Sequence, residues 1–378
     1  MSEAGEPSHD TDPLEGSAPG ALGDLPRRTL TIALSILPIV ALGNVAVLVY
    51  SLGGIHIGEK VKQPGMLLLV AALVFVPMLA NSLRLAIWAR FLDARLGFRR
   101  SLKVISGTMV ANSVTPSATG GMPIKLLFLM GEGVDSRRSV SLISFQTAED
   151  TFLLVGMLLA CLGISGFALL EFFSSDPELL AKFDASLRIT SMVVLWILVT
   201  LAVLALVIAA GLLGDRVRDW ASNFSRKVKG WIRQIGEDWM AVFRRGKGIA
   251  LINLGFAALQ WIVRFSIAGL VLAAFGVEWQ PALFWLLQYL VQSISSIVPT
   301  PGGAGGAEAA FLLLFAPFVA MGVLVPAMST WRLLHFYLPL VGAALTFFVL
   351  HRADRAKAVS RQRSAPAADE APFPQPAE

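Results

Sequence analysis

Between residues 30 and 350 the chain alternates long apolar runs with short polar loops. Runs at 30–52, 66–88, 140–170, 189–213, 249–275 and 327–350 each reach the ~20 residues that a helix needs to cross the hydrocarbon of a bilayer, so each predicts a transmembrane helix. Stretches 104–130 and 281–325 are equally apolar but are broken near the middle by turn-forming residues, which predicts a pair of shorter helices in each. The flanks differ from all of these. Residues 1–28 are polar and rich in Gly, Pro and Ser, and residues 353–378 begin basic and become Ala- and Pro-rich, so both read as disordered tails. Arg27 and Arg28 precede an apolar run without an A-x-A-like end, which suits a retained anchor better than a cleaved signal.

The two interruptions share one pattern. Thr115-Pro116-Ser117-Ala118-Thr119-Gly120-Gly121 and Thr300-Pro301-Gly302-Gly303-Ala304-Gly305-Gly306 both read T-P-x-x-x-G-G and stand 185 residues apart. Helix-breaking sequence at membrane depth is tolerated only where protein or a water-filled cavity covers the freed backbone groups. A repeated breaker therefore marks a transport site at the midplane, where the two tips would meet.

Composition agrees with a membrane chain and removes several function classes. With 55% hydrophobic and 15% charged residues and a mean hydropathy of +0.68, the sequence lies far from the roughly 25% charged content of soluble domains. A single cysteine, Cys161, excludes an intramolecular disulfide framework. His9, His56, His335 and His351 are scattered without a second ligand at helical spacing, and H-E-x-x-H, G-x-S-x-G and phosphate-loop motifs are absent. Neither a metal, a cofactor nor a catalytic centre is expected. The basic stretch 214–248 carries Trp220, Trp231 and Trp239 and reads as an amphipathic helix on anionic lipid, with no nucleic-acid partner.

The distribution of the 31 Lys and Arg residues fixes an orientation. Most lie in one set of loops, at 27–28, 90–103, 137–138, 216–247 and 352–363, whereas the other side carries only Lys60, Lys62, Lys182 and Arg188. The positive-inside rule then places both termini in the cytoplasm. The loops on either side of 104–130 are both basic, so that stretch should enter and leave from the cytoplasmic face as a re-entrant hairpin. By the same logic 281–325 enters from the opposite face. The expected fold is an all-α integral membrane bundle of two inverted repeats, residues 29–170 and 171–352, each with three transmembrane helices and one re-entrant hairpin.

Candidate chemistry concentrates at the tips and at charges within the apolar segments. Thr115, Ser117, Gly120, Gly121, Thr300, Gly302, Gly303, Gly305 and Gly306 form the tips, and the glycines would let backbone N–H groups at helix starts approach an anion such as phosphate. The plainer alternative is that they allow close helix packing. Charges at bilayer depth cost roughly 2.5–3.5 kcal/mol each at a helix centre, so Arg84, Lys125, Glu149, Asp150, Arg264, Glu308 and Arg332 should face the interior. Arg264 and Arg332 are expected to neutralise a phosphate directly, with Glu149 holding one of them while the site is empty. For two of these a plainer alternative stands beside the interior one: Arg84 sits four residues from the end of its run, within reach of snorkelling to the headgroups, and Glu308 reads as a first-turn acid that complements its helix dipole.

The segments 112–125 and 299–308 resemble the lysylphosphatidylglycerol synthase transmembrane-region family over about residues 30–350, as do the neighbourhoods of Glu149-Asp150 and Trp331-Arg332. The resemblance implies a lipid flippase, with aminoacylated phospholipids as the cargo of family members fused to an aminoacyl-transferase domain. That domain is not expected in this chain, so lipid aminoacylation is not expected of it. The implied function is movement of a phosphate-bearing lipid, a membrane phospholipid or polyprenyl phosphate, between leaflets of a bacterial inner membrane, with a homo-oligomer compatible. Two alternatives stand beside it: a lipid-binding membrane subunit of a lipid or glycan synthesis complex, and an ion-coupled carrier of a small anion.

Overall fold

The computed structural model describes residues 61–114, 121–165, 215–298, 300 and 302–364, with single positions at 192, 195 and 199. All regular structure among them is helical. Helices α1 (Pro64–Leu73) and α2 (Val76–Phe91) form one broken span, in which Pro77, lacking an N–H, stands in the first turn of α2. Then come α3 (Phe98–Val114), α4 (Gly121–Gly131) and α5 (Ser136–Ser165). The second half has α6 (Asp215–Arg245), α7 (Lys247–Ala274), α8 (Pro281–Ile297) and α9 (Gly306–Phe315). It ends with α10 (Met321–Arg332), a π turn at Leu333–Tyr337 and α11 (Leu338–Ser364). The π turn lies just before Pro339, which has no N–H to give to the carbonyl four residues earlier.

Among the described residues four helical stretches are long and apolar enough to cross a membrane: Pro64–Phe91, Ser136–Ile164, Lys247–Ala274 and Met321–Ala356. The last span therefore begins earlier and runs further than its apolar run. With side chains such as Leu68, Leu251, Ile164 and Met321 at least 70% exposed, the outer surface has the apolar character that only lipid contact makes tolerable. The chain is a multi-pass membrane protein. The runs at 30–52 and 189–213 lie outside the described residues, except for three single positions of the latter.

α7 is the central post. Of its apolar window 61% is buried, against 11% for α5 and 28% for the α1–α2 span, and it packs against α1, α2, α5, α8 and α10. Two apolar cores flank it. One joins α2, α3, α4 and the start of α5 around Leu85, Trp88, Ile105, Leu129, Leu142 and Phe145. The other joins α1, the later half of α7, α8, α9 and α10 around Val70, Phe284, Phe311, Phe315 and Trp331. In each core the two helices on either side of a T-P-x-x-x-G-G motif, α3 with α4 and α8 with α9, pack against one another.

The C-terminal end differs from the sequence reading. Residues 353–364, expected as part of a disordered tail, continue α11. The reason is electrostatic as well as conformational: Asp354 pairs with Lys103 at 2.7 Å and Arg99 at 3.3 Å, Lys103 also pairs with Glu132, and no proline intervenes before Pro366. Burial alone would lower the Lys103 ammonium pKa, but hydrogen bonds and charge from Asp354 and Glu132 outweigh it and raise it. In α6 the half-buried Trp231, Ile235 and Trp239 face the bundle, with Trp239 edge-on to Phe145 at 4.8 Å, while Ile232, Met240 and Phe243 stay exposed.

Candidate anion site between the two hairpins

A cavity of about 230 Å³ lies between the two cores. Asn112 and Ser113 reach it from the end of α3, and Arg264 and Ile267 from α7. Gln292, Ser295 and Ser296 line it from α8, and Gly302 and Gly303 from the second tip. Trp331, Arg332, His335 and Phe336 close it from α10 and the π turn. The site thus gathers the end of one hairpin, the tip of the other and the two arginines singled out from sequence.

The cavity is rich in donors without partners. The Arg264 Nε and Trp331 Nε1 donors, His335 Nδ1 and the Asn112 Oδ1 acceptor are all shielded from solvent and have no hydrogen-bond partner. Arg264 is held only weakly, by a 3.4 Å bond from Nη2 to Gln292 Oε1 and by its guanidinium lying 5.6 Å from the Trp261 ring. No carboxylate lies within ion-pair distance of it among the described residues. Buried polar groups are normally paired, so convergent orphans around a cavity point to a ligand that supplies acceptors. Trp331 stays in place because its ring stacks between Phe311 at 4.8 Å and His335 at 5.4 Å.

Arg332 is the second cation, and its environment differs. Its Nη2 donates to the Gly302 carbonyl at 2.7 Å, its guanidinium lies 4.3 Å from the Phe336 ring, and Nε lies 2.8 Å from Glu308 Oε1. The last contact is an ion pair and not a good hydrogen bond, because the Nε–H bond is not directed at the carboxylate. Glu308 Oε2 also accepts from the Gly305 N–H at 2.8 Å, so this acid caps its own helix and tethers Arg332 to the tip. The Gly305 N–H, expected to be available to an anion, is therefore occupied. Thr300 does not line the cavity either: its hydroxyl donates to the Ala304 carbonyl at 2.8 Å and closes the turn.

The glycines divide into two groups. Gly302 and Gly303 have φ of +62° and +65°, conformations that L side chains rarely adopt, and a Cβ on either would overlap Phe336 or Ser295 at the cavity wall. Gly121 and Gly306 instead are packing glycines: a Cβ at Gly121 would overlap Asn112 of α3, and one at Gly306 would overlap Val298 just after α8. Each lets the second helix of its hairpin press against the first. Thr115, Ser117 and Gly120 lie outside the described residues.

Glu149 and Lys125 belong to a separate polar cluster. Arg84 is fully buried, and its five hydrogen bonds go to Glu149 (3.1 and 2.7 Å), Asp150 (2.7 Å), Gln260 (3.3 Å) and the Gln146 carbonyl (3.1 Å). Trp88 and Trp261 cap the two acids with indole N–H bonds of 2.8 and 3.0 Å, and Lys125 donates to Gln146 at 2.6 Å. This decides one sequence expectation, with Arg84 facing the interior, and corrects another. Arg84 does not snorkel, because two acids from α5 meet it inside the bundle; and Glu149 holds Arg84, leaving Glu308 as the acid that holds Arg332. Sequence reasoning missed Asn112, Gln292, Ser295, Ser296 and the role of Trp331. The polar run Gln292-Ser293-Ile294-Ser295-Ser296 inside an apolar stretch was the available signal.

Two curated relatives are informative. A UPF0104 membrane protein of Archaeoglobus fulgidus is 24% identical over 289 residues, covering 72% of this chain and 83% of its own length. A UPF0104 membrane protein of Methanothermobacter thermautotrophicus is also 24% identical, over 325 residues, covering 81% of this chain and 91% of its own length. No solved structure matches the chain. Residues 30–343 match the lysylphosphatidylglycerol synthase TM region, so the cavity and both hairpins fall within a recognised unit and the chain belongs to that family.

Proposed function

We propose that this protein moves a phosphate-bearing lipid between membrane leaflets, as a transporter and not an enzyme, with the headgroup passing through the cavity between the hairpins. The observation that carries the reading is Arg264: a buried cation with no ion-paired acid among the described residues, facing a cavity it shares with Arg332 and the orphaned indole of Trp331. An isolated charge in that setting is costly unless a ligand of opposite sign visits it. Arrangement supports the reading as well. The packing of α3 on α4 and of α8 on α9 supports a reading of the two pairs as re-entrant hairpins of inverted repeats, and rocking of the halves about α7 would then expose the site to each leaflet in turn. With the Lys- and Arg-rich loops on the cytoplasmic side, the chain sits in a bacterial inner membrane with both termini in the cytoplasm.

The test is reconstitution into liposomes that carry a fluorescent phospholipid, with a membrane-impermeant reductant added outside. Parent protein should render inner-leaflet label reducible, and Arg264→Gln and Arg332→Gln should slow this at least tenfold while leaving thermal unfolding nearly unchanged. Tight lipid binding with no movement would replace the reading with a scaffold subunit. Exchange of free phosphate without lipid movement would replace it with an anion carrier.

A further inference from the structure

We infer that the cargo headgroup is a net anionic phosphate bearing hydroxyls, and that a lipid whose headgroup carries an added ammonium, such as a lysylated one, is rejected. This rests on the proposed transport of a phosphate-bearing lipid and narrows its substrate class.

Charge supplies the first argument. The cavity lining includes Arg264 and Arg332 and no carboxylate. The acids within the apolar segments of the described residues are Glu149, Asp150 and Glu308, and each is committed: Glu149 to Arg84 and Trp88, Asp150 to Arg84 and Trp261, Glu308 to Arg332 and the Gly305 N–H. A phosphate oxyanion would find two guanidinium groups and the indole N–H of Trp331. An ammonium in the same space would face Arg264, which has no ion-paired acid among the described residues, and an Arg332 already paired with Glu308, so it would find no uncommitted carboxylate and a repulsion from Arg264 that a poorly hydrated interior enlarges. Glu308 already shows the kind of group Arg332 accepts, since its carboxylate lies 2.8 Å from that guanidinium.

Shape and neutral polarity supply the second. At about 230 Å³ the cavity is smaller than the roughly 300–1,000 Å³ of sites that enclose a drug-sized ligand, so it takes the headgroup alone and leaves acyl or prenyl tails in lipid. Beyond the cations, Trp331 and His335, its polar wall includes Asn112, Ser113, Gln292, Ser295 and Ser296, which exchange hydrogen bonds with hydroxyls and neutralise nothing. A phosphoglycerol or phosphosugar fits that wall.

The experiment has a binding arm and a transport arm, both on the purified full chain. In the first, thermal shift and calorimetry compare glycerol phosphate, inorganic phosphate and the lysyl ester of glycerol phosphate. In the second, fluorescent phosphatidylglycerol and its lysylated form are compared in the liposome assay. Glycerol phosphate should bind at least tenfold more tightly than the lysyl ester, and only the unmodified lipid should cross. Arg264→Gln should shrink that preference to about threefold or less. Gln292→Glu, which adds a carboxylate beside Arg264, should erase the preference or reverse it, and it serves equally where Arg264→Gln fails to fold. If the lysylated lipid crosses as well as the unmodified one, this inference is wrong while transport stands. If neither crosses, transport itself is wrong. If inorganic phosphate binds and exchanges as well as glycerol phosphate, free phosphate is the ligand and the lipid headgroup assignment is overturned.

Discussion

Replacing Arg84 by Met tests whether the buried acid cluster is structural or part of the binding site. Arg84 is 0% exposed and uses all five guanidinium N–H donors, so the substitution leaves Glu149 and Asp150 adjacent, inside the bundle, with no cation between them. Removing one member of a buried pair typically costs about 3–5 kcal/mol, because the partner charge is left uncompensated. Glu149→Gln is milder, since Asp150 still faces Arg84 at 2.7 Å; loss of a charged hydrogen bond sets it at about 1.5–3 kcal/mol. The double variant Arg84→Met/Glu149→Met should cost clearly less than the sum of its two single changes, with a coupling of about 0.5–3 kcal/mol. At roughly 2–4 °C per kcal/mol, Arg84→Met should lower the unfolding midpoint in detergent by on the order of 10 °C. The discriminating measurement adds lipid. Because the cluster lies outside the cavity, phosphatidylglycerol should raise the midpoints of parent and Glu149→Gln by the same amount. If Glu149→Gln unfolds like the parent without lipid, or if lipid selectively closes the gap, Glu149 handles cargo and the separation of the two polar sites is wrong.

Further outcomes follow from the tip and the hairpins. Glu308→Gln releases Arg332 from its 2.8 Å ion pair, so binding of glycerol phosphate should tighten by about threefold or more while the unfolding midpoint falls; weaker binding by calorimetry would mean that Glu308 contacts the cargo. Gly121→Ala should destabilise the protein by about 1–3 kcal/mol through overlap with Asn112, and Asn112→Ala should recover part of that loss in thermal unfolding. Gly302→Ala and Gly303→Ala combine left-handed strain of about 1–2 kcal/mol with intrusion on the cavity wall, so transport should fall even in preparations that remain folded. For orientation, a cysteine at Ser222 in a Cys161→Ala background should react with impermeant reagent only after the cytoplasmic face is opened, and one at Ser175 should react in intact cells.

What was legible in the sequence was whatever depends on local pattern. Apolar runs mark helices because every backbone polar group must be satisfied inside the bilayer, and that constraint does not wait for tertiary contacts. The broken stretches announced shorter helices for the same reason, and Arg264 and Arg332 stood out because a cation at that depth needs a reason. Even the identity of Glu308 as a first-turn acid was readable, since Gly305 and Glu308 are three residues apart.

The tertiary structure alone decided the partners. Glu149 lies 65 residues from Arg84, and which of several cations it meets is set by how α5 crosses α2, a matter of packing that no local pattern contains. The same holds for Glu308 and Arg332, brought together because α9 folds back on α8 and lies beside α10. Whether a glycine faces a ligand or a neighbouring helix is likewise invisible in its one-letter code: Gly303 borders the cavity and Gly306 presses on Val298. The sequence names which charges must be answered, because desolvation is a property of depth. Only the fold says by what, because Coulomb and hydrogen-bond partners are fixed by distances of a few ångströms between elements far apart in the chain.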